Sequence, residues 1–285
     1  MKKRVLPLFL IFMLCALSCK QKSYYEAKDF TPDGLFTSGI EGPATDAQGN
    51  IYVVNFEREG TIGIVTPKGE ASLFVVLPEG STGNGIRFNS RGDMLIADYT
   101  GHNILKVDMQ TKEISVFAHE VTMNQPNDIT ITSDDYLYAS DPNWREGTGN
   151  LWLISPMGEV TLLESDMGTT NGIEVSPDGK RLYVNESRQR NLWVYDIAPD
   201  KSISNKRLLL KFEDGGFDGM RFATDGNLYV TRPGKGAVVV ISPEGNLIRE
   251  IDVLGKSPTN IAFYNNRAYV TLQDRGSIAT FDIEP

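Results

Sequence analysis

Thr170-Asn171-Gly172-Ile173-Glu174-Val175-Ser176-Pro177-Asp178-Gly179-Lys180-Arg181-Leu182-Tyr183-Val184 is the stretch that decides the fold, because it recurs along the chain. It consists of two short apolar runs joined by a Pro-Asp-Gly turn, which is the pattern of a hairpin between strands and not of a helix. Upstream lie Glu41-Gly42…Gly49…Ile51-Tyr52-Val53, Asn84-Gly85-Ile86…Gly92…Leu95-Ile96 and Asn127-Asp128-Ile129…Asp135…Leu137-Tyr138. Downstream lie Asp218-Gly219-Met220…Gly226…Leu228-Tyr229-Val230 and Asn260-Ile261…Asn265-Asn266…Ala268-Tyr269-Val270. The six starting points are 43, 43, 44, 47 and 42 residues apart.

A second turn signal follows in phase at Pro67, Gln110, Pro156, Pro199 and Pro243, so each copy holds four antiparallel strands. Repeats of this length and content predict an all-β, six-bladed β-propeller. The sixth copy stops at Phe281-Asp282-Ile283, inside its third strand. The segment around Asp29 to Thr37 is therefore expected to complete the last blade and remove an open edge. This reading makes residues 30–285 one domain. The Trp-Asp pairs of WD40 blades are missing, since none of Trp144, Trp152 and Trp193 precedes an Asp.

Ahead of the repeats, Lys2, Lys3 and Arg4 precede an uncharged run from Val5 to Ser18, which has the length of an export signal's core and is too short to span a bilayer permanently. Residues 1–18 are accordingly read as a signal peptide and residues 19–29 as a polar tether. Ala16-Leu17-Ser18-Cys19 resembles the lipobox of bacterial lipoproteins, although Ala16 stands where Leu is usual, and the resemblance implies lipidation of Cys19. Cleavage after Ser18 with Cys19 as an incidental thiol is the alternative. Either way the protein is expected to be exported, and the lipoprotein reading places it in the periplasm or cell envelope, attached to membrane only through its N-terminal lipid.

Charge and cysteine content exclude several chemistries. The chain has 285 residues, with 28 Lys and Arg against 37 Asp and Glu, and loss of residues 1–18 would leave a net charge of −12. Nucleic acid is excluded as the main partner, because no basic face is available. Cys15 and Cys19 are the only cysteines, so the repeats contain no disulfide, thiolate nucleophile or cysteine metal site. No Gly-x-Ser-x-Gly elbow is present. His102 falls in a turn and His119 on an outer strand, which argues against a histidine-based hydrolase.

The residue that opens each copy is the functional clue. Glu41, Asn84, Asn127, Asn171, Asp218 and Asn260 all end in a carbonyl or carboxylate oxygen. In a propeller the first strand of each blade lines the axis, so six such residues in phase would converge on one mouth of the channel. A ring of oxygens suits a hard cation, with Ca²⁺ favoured over Zn²⁺, and Glu41 and Asp218 would balance its charge. Turn chemistry is the competing explanation, since Asn-Gly and Asp-Gly are common in turns.

Glu41-Gly42-Pro43, Pro126-Asn127-Asp128, Thr170-Asn171-Gly172…Leu182-Tyr183-Val184 and Asp218-Gly219…Leu228-Tyr229-Val230 resemble, in that order, the gluconolactonase/regucalcin (senescence marker protein) family of six-bladed propellers. The resemblance implies a divalent metal held by Glu41, Asn171 and Asp218, with Asn127 on the metal or substrate side. Mn²⁺ and Mg²⁺ are further alternatives to Ca²⁺ and Zn²⁺. It also implies hydrolysis of a small lactone or sugar-derived substrate by a protein expected to be a monomer, with Asp218 as catalytic base. Gln125 stands where many members carry a basic residue that meets the substrate. Asn84, Gln125, Asp141 and Asn260 are the remaining substrate-side candidates, and Glu186 and Arg232 read as solvent-facing rim residues. Tyr99, Trp144 and Tyr264 are aromatic candidates for a pocket wall. The reading from a different class is a non-catalytic, metal-stabilised propeller, anchored at the surface, that binds a carbohydrate or protein.

Overall fold

A computed structural model describes residues 23–285. The signal segment, Cys19 and the start of the tether lie outside the described residues. The described residues form 24 strands in six four-stranded antiparallel sheets, one blade per sequence repeat. Blade 1 runs Ala44–Thr45, Ile51–Val54, Thr61–Val65 and Ala71–Val76. The innermost strands of blades 2 to 6 are Gly83–Phe88, Ile129–Ile131, Thr170–Val175, Met220–Phe222 and Pro258–Tyr264.

The first hairpin of each blade is set by a left-handed residue. Gly49, Gly92, Gly179 and Gly226 have φ of 82°, 85°, 70° and 78°, while Asp135 and Asn265 take the same turn at 64° and 51°. Asp and Asn are among the few residues that tolerate this region without glycine's freedom. Asp46 secures the first of these turns by accepting the backbone N–H groups of Gln48 and Asn50, each at 2.9 Å.

The core is split into six apolar clusters, one between each pair of neighbouring blades. The recurring Tyr of the second strand bridges these interfaces. Tyr52, Tyr183 and Tyr229 meet Phe88, Phe222 and Phe263 of the next blade edge to face, with ring centroids 5.6, 5.2 and 5.0 Å apart. Their blade 3 counterpart, Tyr138, donates its hydroxyl to Lys201 O at 2.9 Å, and Tyr183 donates to Pro243 O at 3.1 Å, each across to the turn between the third and fourth strands of the following blade. A ring buried on one side and hydrogen-bonded at its tip suits a boundary that starts dry and ends wet.

The last blade is closed by the start of the chain. Lys28 and Asp29 pair with Thr280 and Ala279, Tyr25 N–H donates to Asp282 O at 2.8 Å, and Phe30 N–H donates to Ile278 O at 2.9 Å. Pairing thus begins before the boundary read at residue 30, inside the stretch assigned to the tether. The reason is that an edge strand needs only its backbone, while Tyr25 and Ala27 pack on the last blade's core. The predicted segment follows blade 6 as far as Phe36, with Gly34 N–H donating to Arg275 O at 2.9 Å and Phe36 N–H to Gly276 O at 3.0 Å. At Phe36, which also bridges Phe56, and Thr37, whose N–H donates to Asn55 O at 3.0 Å, the chain passes to blade 1.

Candidate metal and substrate site

Each ring residue stands at or just before the start of an innermost strand, and strand register fixes which residues are equivalent. Ile86, Ile173 and Ile261 pair with Ile96, Val184 and Val270, which occupy the same place in their blades. Counting back two residues gives Asn84, Asn171 and Thr259. The sixth member of the ring is therefore Thr259, and the expectation for Asn260 is corrected by one residue. The shorter sixth hairpin hid this shift. Glu41, Asn84, Asn127, Asn171, Asp218 and Thr259 together line one cavity of about 340 Å³.

Close approach, and not turn geometry, explains the glycines that follow the ring. Gly85, Gly172 and Gly219 do not have left-handed φ. A Cβ on Gly172 would lie 2.3 Å from Asp218 O, and one on Gly219 would lie 2.0 Å from the Asn260 side chain. The neighbouring inner strands leave room only for hydrogen. Asn-Gly and Asp-Gly here are signatures of a crowded axis.

The chemistry of the ring is that of an anionic cradle. Glu41 Oε2 accepts Gly42 N–H at 2.8 Å and Asn260 Nδ2 at 3.1 Å. Burial raises the Glu41 carboxyl to about 7, with the charge of Asp128 adding to the effect. Burial, then the charge of Glu41 and a hydrogen bond with it, hold Asp218 well above the ordinary carboxylate range, while the Asn171 amide works the other way. Two adjacent buried carboxyls disfavour double ionisation in the absence of a counter-ion. Asn84 Oδ1, Asn127 Oδ1 and Asn171 Oδ1 are buried with no hydrogen-bond partner. Buried acceptors without partners are rare in native proteins, and three in one cavity beside two carboxyls fit a hard cation. Among the described residues no three His, Cys, Asp or Glu side chains gather as a metal site. A cation here would therefore depend on the amide oxygens.

The walls above the ring include Glu59, Tyr99 and Trp144, and no Lys, Arg or His lines the cavity. Glu59 accepts the Thr37 hydroxyl at 2.5 Å. Tyr264 lies elsewhere, with its hydroxyl directed at Ala47 O at 3.4 Å. Neither histidine approaches the cavity: His102 Nδ1 meets Met123 O, and His119 Nδ1 meets Asn103 Oδ1 at 2.8 Å.

Several candidates have other work. Asp141 is fully buried and accepts Asn124 N–H at 2.8 Å, Gln125 N–H at 2.6 Å and Trp152 Nε1–H at 2.9 Å, besides the Asn124 and Asn150 amides. With its oxygens so engaged, it shapes the 124–125 loop and does not face a substrate. Gln125 does not line the cavity. Glu186 and Arg232 are buried, contrary to the rim reading. Glu186 accepts Gly168 N–H at 2.8 Å and Asn191 Nδ2 at 2.7 Å, and Arg232 donates to Gly216 O at 2.9 Å with its guanidinium 3.7 Å from the Phe212 ring centroid. In each case the loop that leads into the same blade's inner strand, represented by Gly168 for Glu186 and by Asp214 and Gly216 for Arg232, folds over the strand end and buries it.

One layer was not anticipated. Just beyond the ring, buried Asp128 accepts Asn260 Nδ2, Arg87 Nη1 and Arg221 Nη1, each at 3.4 Å, and Glu174 meets Arg87 Nη2 at 3.3 Å. The signal was present in Gly85-Ile86-Arg87-Phe88, Gly219-Met220-Arg221-Phe222 and Gly172-Ile173-Glu174-Val175, where a charge recurs inside an otherwise apolar inner strand.

The model of the SMP-30/gluconolactonase/LRE-like region matches residues 41–274, starting at the first ring residue. The chain belongs to this family. Among relatives in sequence, the gluconolactonase of Zymomonas mobilis is 28% identical over 191 residues, which cover 58% of this chain and 52% of that protein, about half its length. The diisopropyl-fluorophosphatase of Loligo vulgaris is 26% identical over 278 residues, covering 86% and 88%. Among solved structures, the calcium-binding protein regucalcin of Agrobacterium tumefaciens superposes with a TM-score of 0.77 at 24% identity over 90% of this chain and 92% of that one, which shows a shared fold. The SMP-30/gluconolactonase resemblance read from the four sequence motifs is thereby shown.

Proposed function

We propose that this protein is a divalent-metal-dependent lactonase. The observation that carries the reading is the group of three unpartnered amide oxygens, of Asn84, Asn127 and Asn171, in one cavity with the buried carboxyls of Glu41 and Asp218. Membership of the SMP-30/gluconolactonase family and the gluconolactonase relative support the same substrate class. Glu41, Asn171 and Asp218 would hold the cation, with Asn127 and Asn84 completing its oxygen shell, and Ca²⁺ suits that donor set best. When bound, such a cation polarises the lactone carbonyl and acidifies water.

The chain's own groups supply the remainder. Asp218, as a carboxylate, accepts a proton from water as the water oxygen bonds to the carbonyl carbon. Returning that proton to the ring oxygen as the ester C–O bond breaks yields the open hydroxy acid. Tyr99 and Trp144 offer flat walls to the substrate ring, and Glu59 offers an acceptor for a hydroxyl. Export through the N-terminal segment, with Cys19 as lipid anchor, is part of this proposal, as is a monomeric state.

The test is hydrolysis of sugar and aliphatic lactones, followed by proton release, with Ca²⁺, Zn²⁺, Mn²⁺ or Mg²⁺. Turnover that requires metal and is lost in Asp218→Ala is the expected result. Stabilisation by metal without hydrolysis of any lactone would favour the binding propeller instead, and no response to metal at all would defeat both readings.

A further inference from the structure

The axis carries opposite chemistry at its two ends. Beyond the Asp128 layer, the later residues of the inner strands of blades 1, 2, 5 and 6 line a second cavity of about 270 Å³, and its only ionisable lining residues are Arg87 and Arg221. Each is 8% exposed. Their counter-charges, Asp128 and Glu174, do not line this cavity and are shared between them at 3.3 to 3.8 Å. Strong charge-assisted hydrogen bonds run to about 2.7–2.9 Å, so these carboxylate contacts are long, and the short bonds of both guanidiniums go instead from Nη1 to neutral carbonyls, Ile86 O at 2.8 Å and Met220 O at 2.6 Å. Arg221 Nη2 is buried without any partner. Burial, and then the neighbouring Arg221, pushes the Arg87 guanidinium down to about 10.

We propose that this mouth is a binding site for a small oxyanion, a carboxylate or phosphate group, held between Arg87 and Arg221. The planar guanidinium fork matches the paired oxygens of such groups, and the near-burial of both guanidiniums strengthens the attraction. Phe88, Phe222 and Phe263 give the site an apolar surround. The ligand would approach from the face opposite the candidate metal site, with the Asp128 and Asn260 layer between the two.

Calorimetric titration of the full-length protein with sodium phosphate and, separately, with sodium acetate, at constant ionic strength and without added divalent cation, tests the site. Saturable one-to-one binding of either anion is expected, and whichever binds more tightly identifies the source of the oxyanion. Arg221→Gln should weaken that binding at least tenfold. Should that variant fail to fold, Thr45→Glu keeps both guanidiniums, brings its own carboxylate to the mouth and should weaken binding to the same degree. Absence of saturable binding for both anions, or unchanged affinity in both variants, would overturn the proposal.

Discussion

Asn260 donates its side-chain amide to Glu41 Oε2 at 3.1 Å, joining the sixth blade to the first across 219 residues of sequence. Because the same amide also meets Asp128, it links the ring to the charged layer beneath it. Asn260→Ala should cost about 1–3 kcal/mol of stability in urea unfolding, as for a buried hydrogen bond to a charged group, and leave metal binding detectable.

Replacing Asp218 should have a different effect. Asp218→Asn preserves size and removes the base, and kcat should fall at least about 100-fold while the circular dichroism spectrum stays that of the native protein. Retention of near-native turnover would remove Asp218 from the chemistry.

The unpartnered amides make a prediction of opposite sign. Asn84→Leu replaces an unsatisfied acceptor with an apolar group of similar volume, so the metal-free protein should gain about 1 kcal/mol or more. The stabilisation conferred by Ca²⁺ should shrink in the same variant. Melting curves with chelator and with Ca²⁺ separate the two effects.

Acidity supplies a further check. Glu41 titrates at about 7 in the folded protein, against an ordinary value of 4.5. Between these limits the metal-free folded state binds more protons than the unfolded chain. Its stability should therefore be highest at the acidic end and fall as pH rises through that window, by on the order of 3 kcal/mol at most. Metal needs the deprotonated carboxyls, so its stabilising effect should grow in the same direction. Melting temperatures at about pH 5 and about pH 8, with and without Ca²⁺, test both slopes.

Asp141 should behave as a structural residue. Asp141→Ala leaves five donors without their acceptor and should cost about 3 kcal/mol or more, while activity per folded molecule keeps the wild-type pH profile.

The repeat made the fold legible, because every blade must solve the same two problems of turning and of covering its neighbour. It also exposed five of the six ring members. Asn260 was displaced by one because the sixth hairpin is shorter and only pairing register distinguishes it from Thr259. Asp141, Glu186 and Arg232 lie at or near strand ends, and nothing in their local sequence announces that the loop leading into the same blade folds back to bury them. The charges of Arg87, Asp128, Glu174 and Arg221 could have been found by asking why an inner strand should carry any charge at all.

The clasp between Tyr25–Thr31 and Ser277–Asp282 has a consequence for biogenesis. A growing polypeptide on the ribosome cannot seal the toroid until residues 277–282 emerge, so the seam stays open while the earlier blades are made. A proteolytic nick near either of these two segments would act on the same joint.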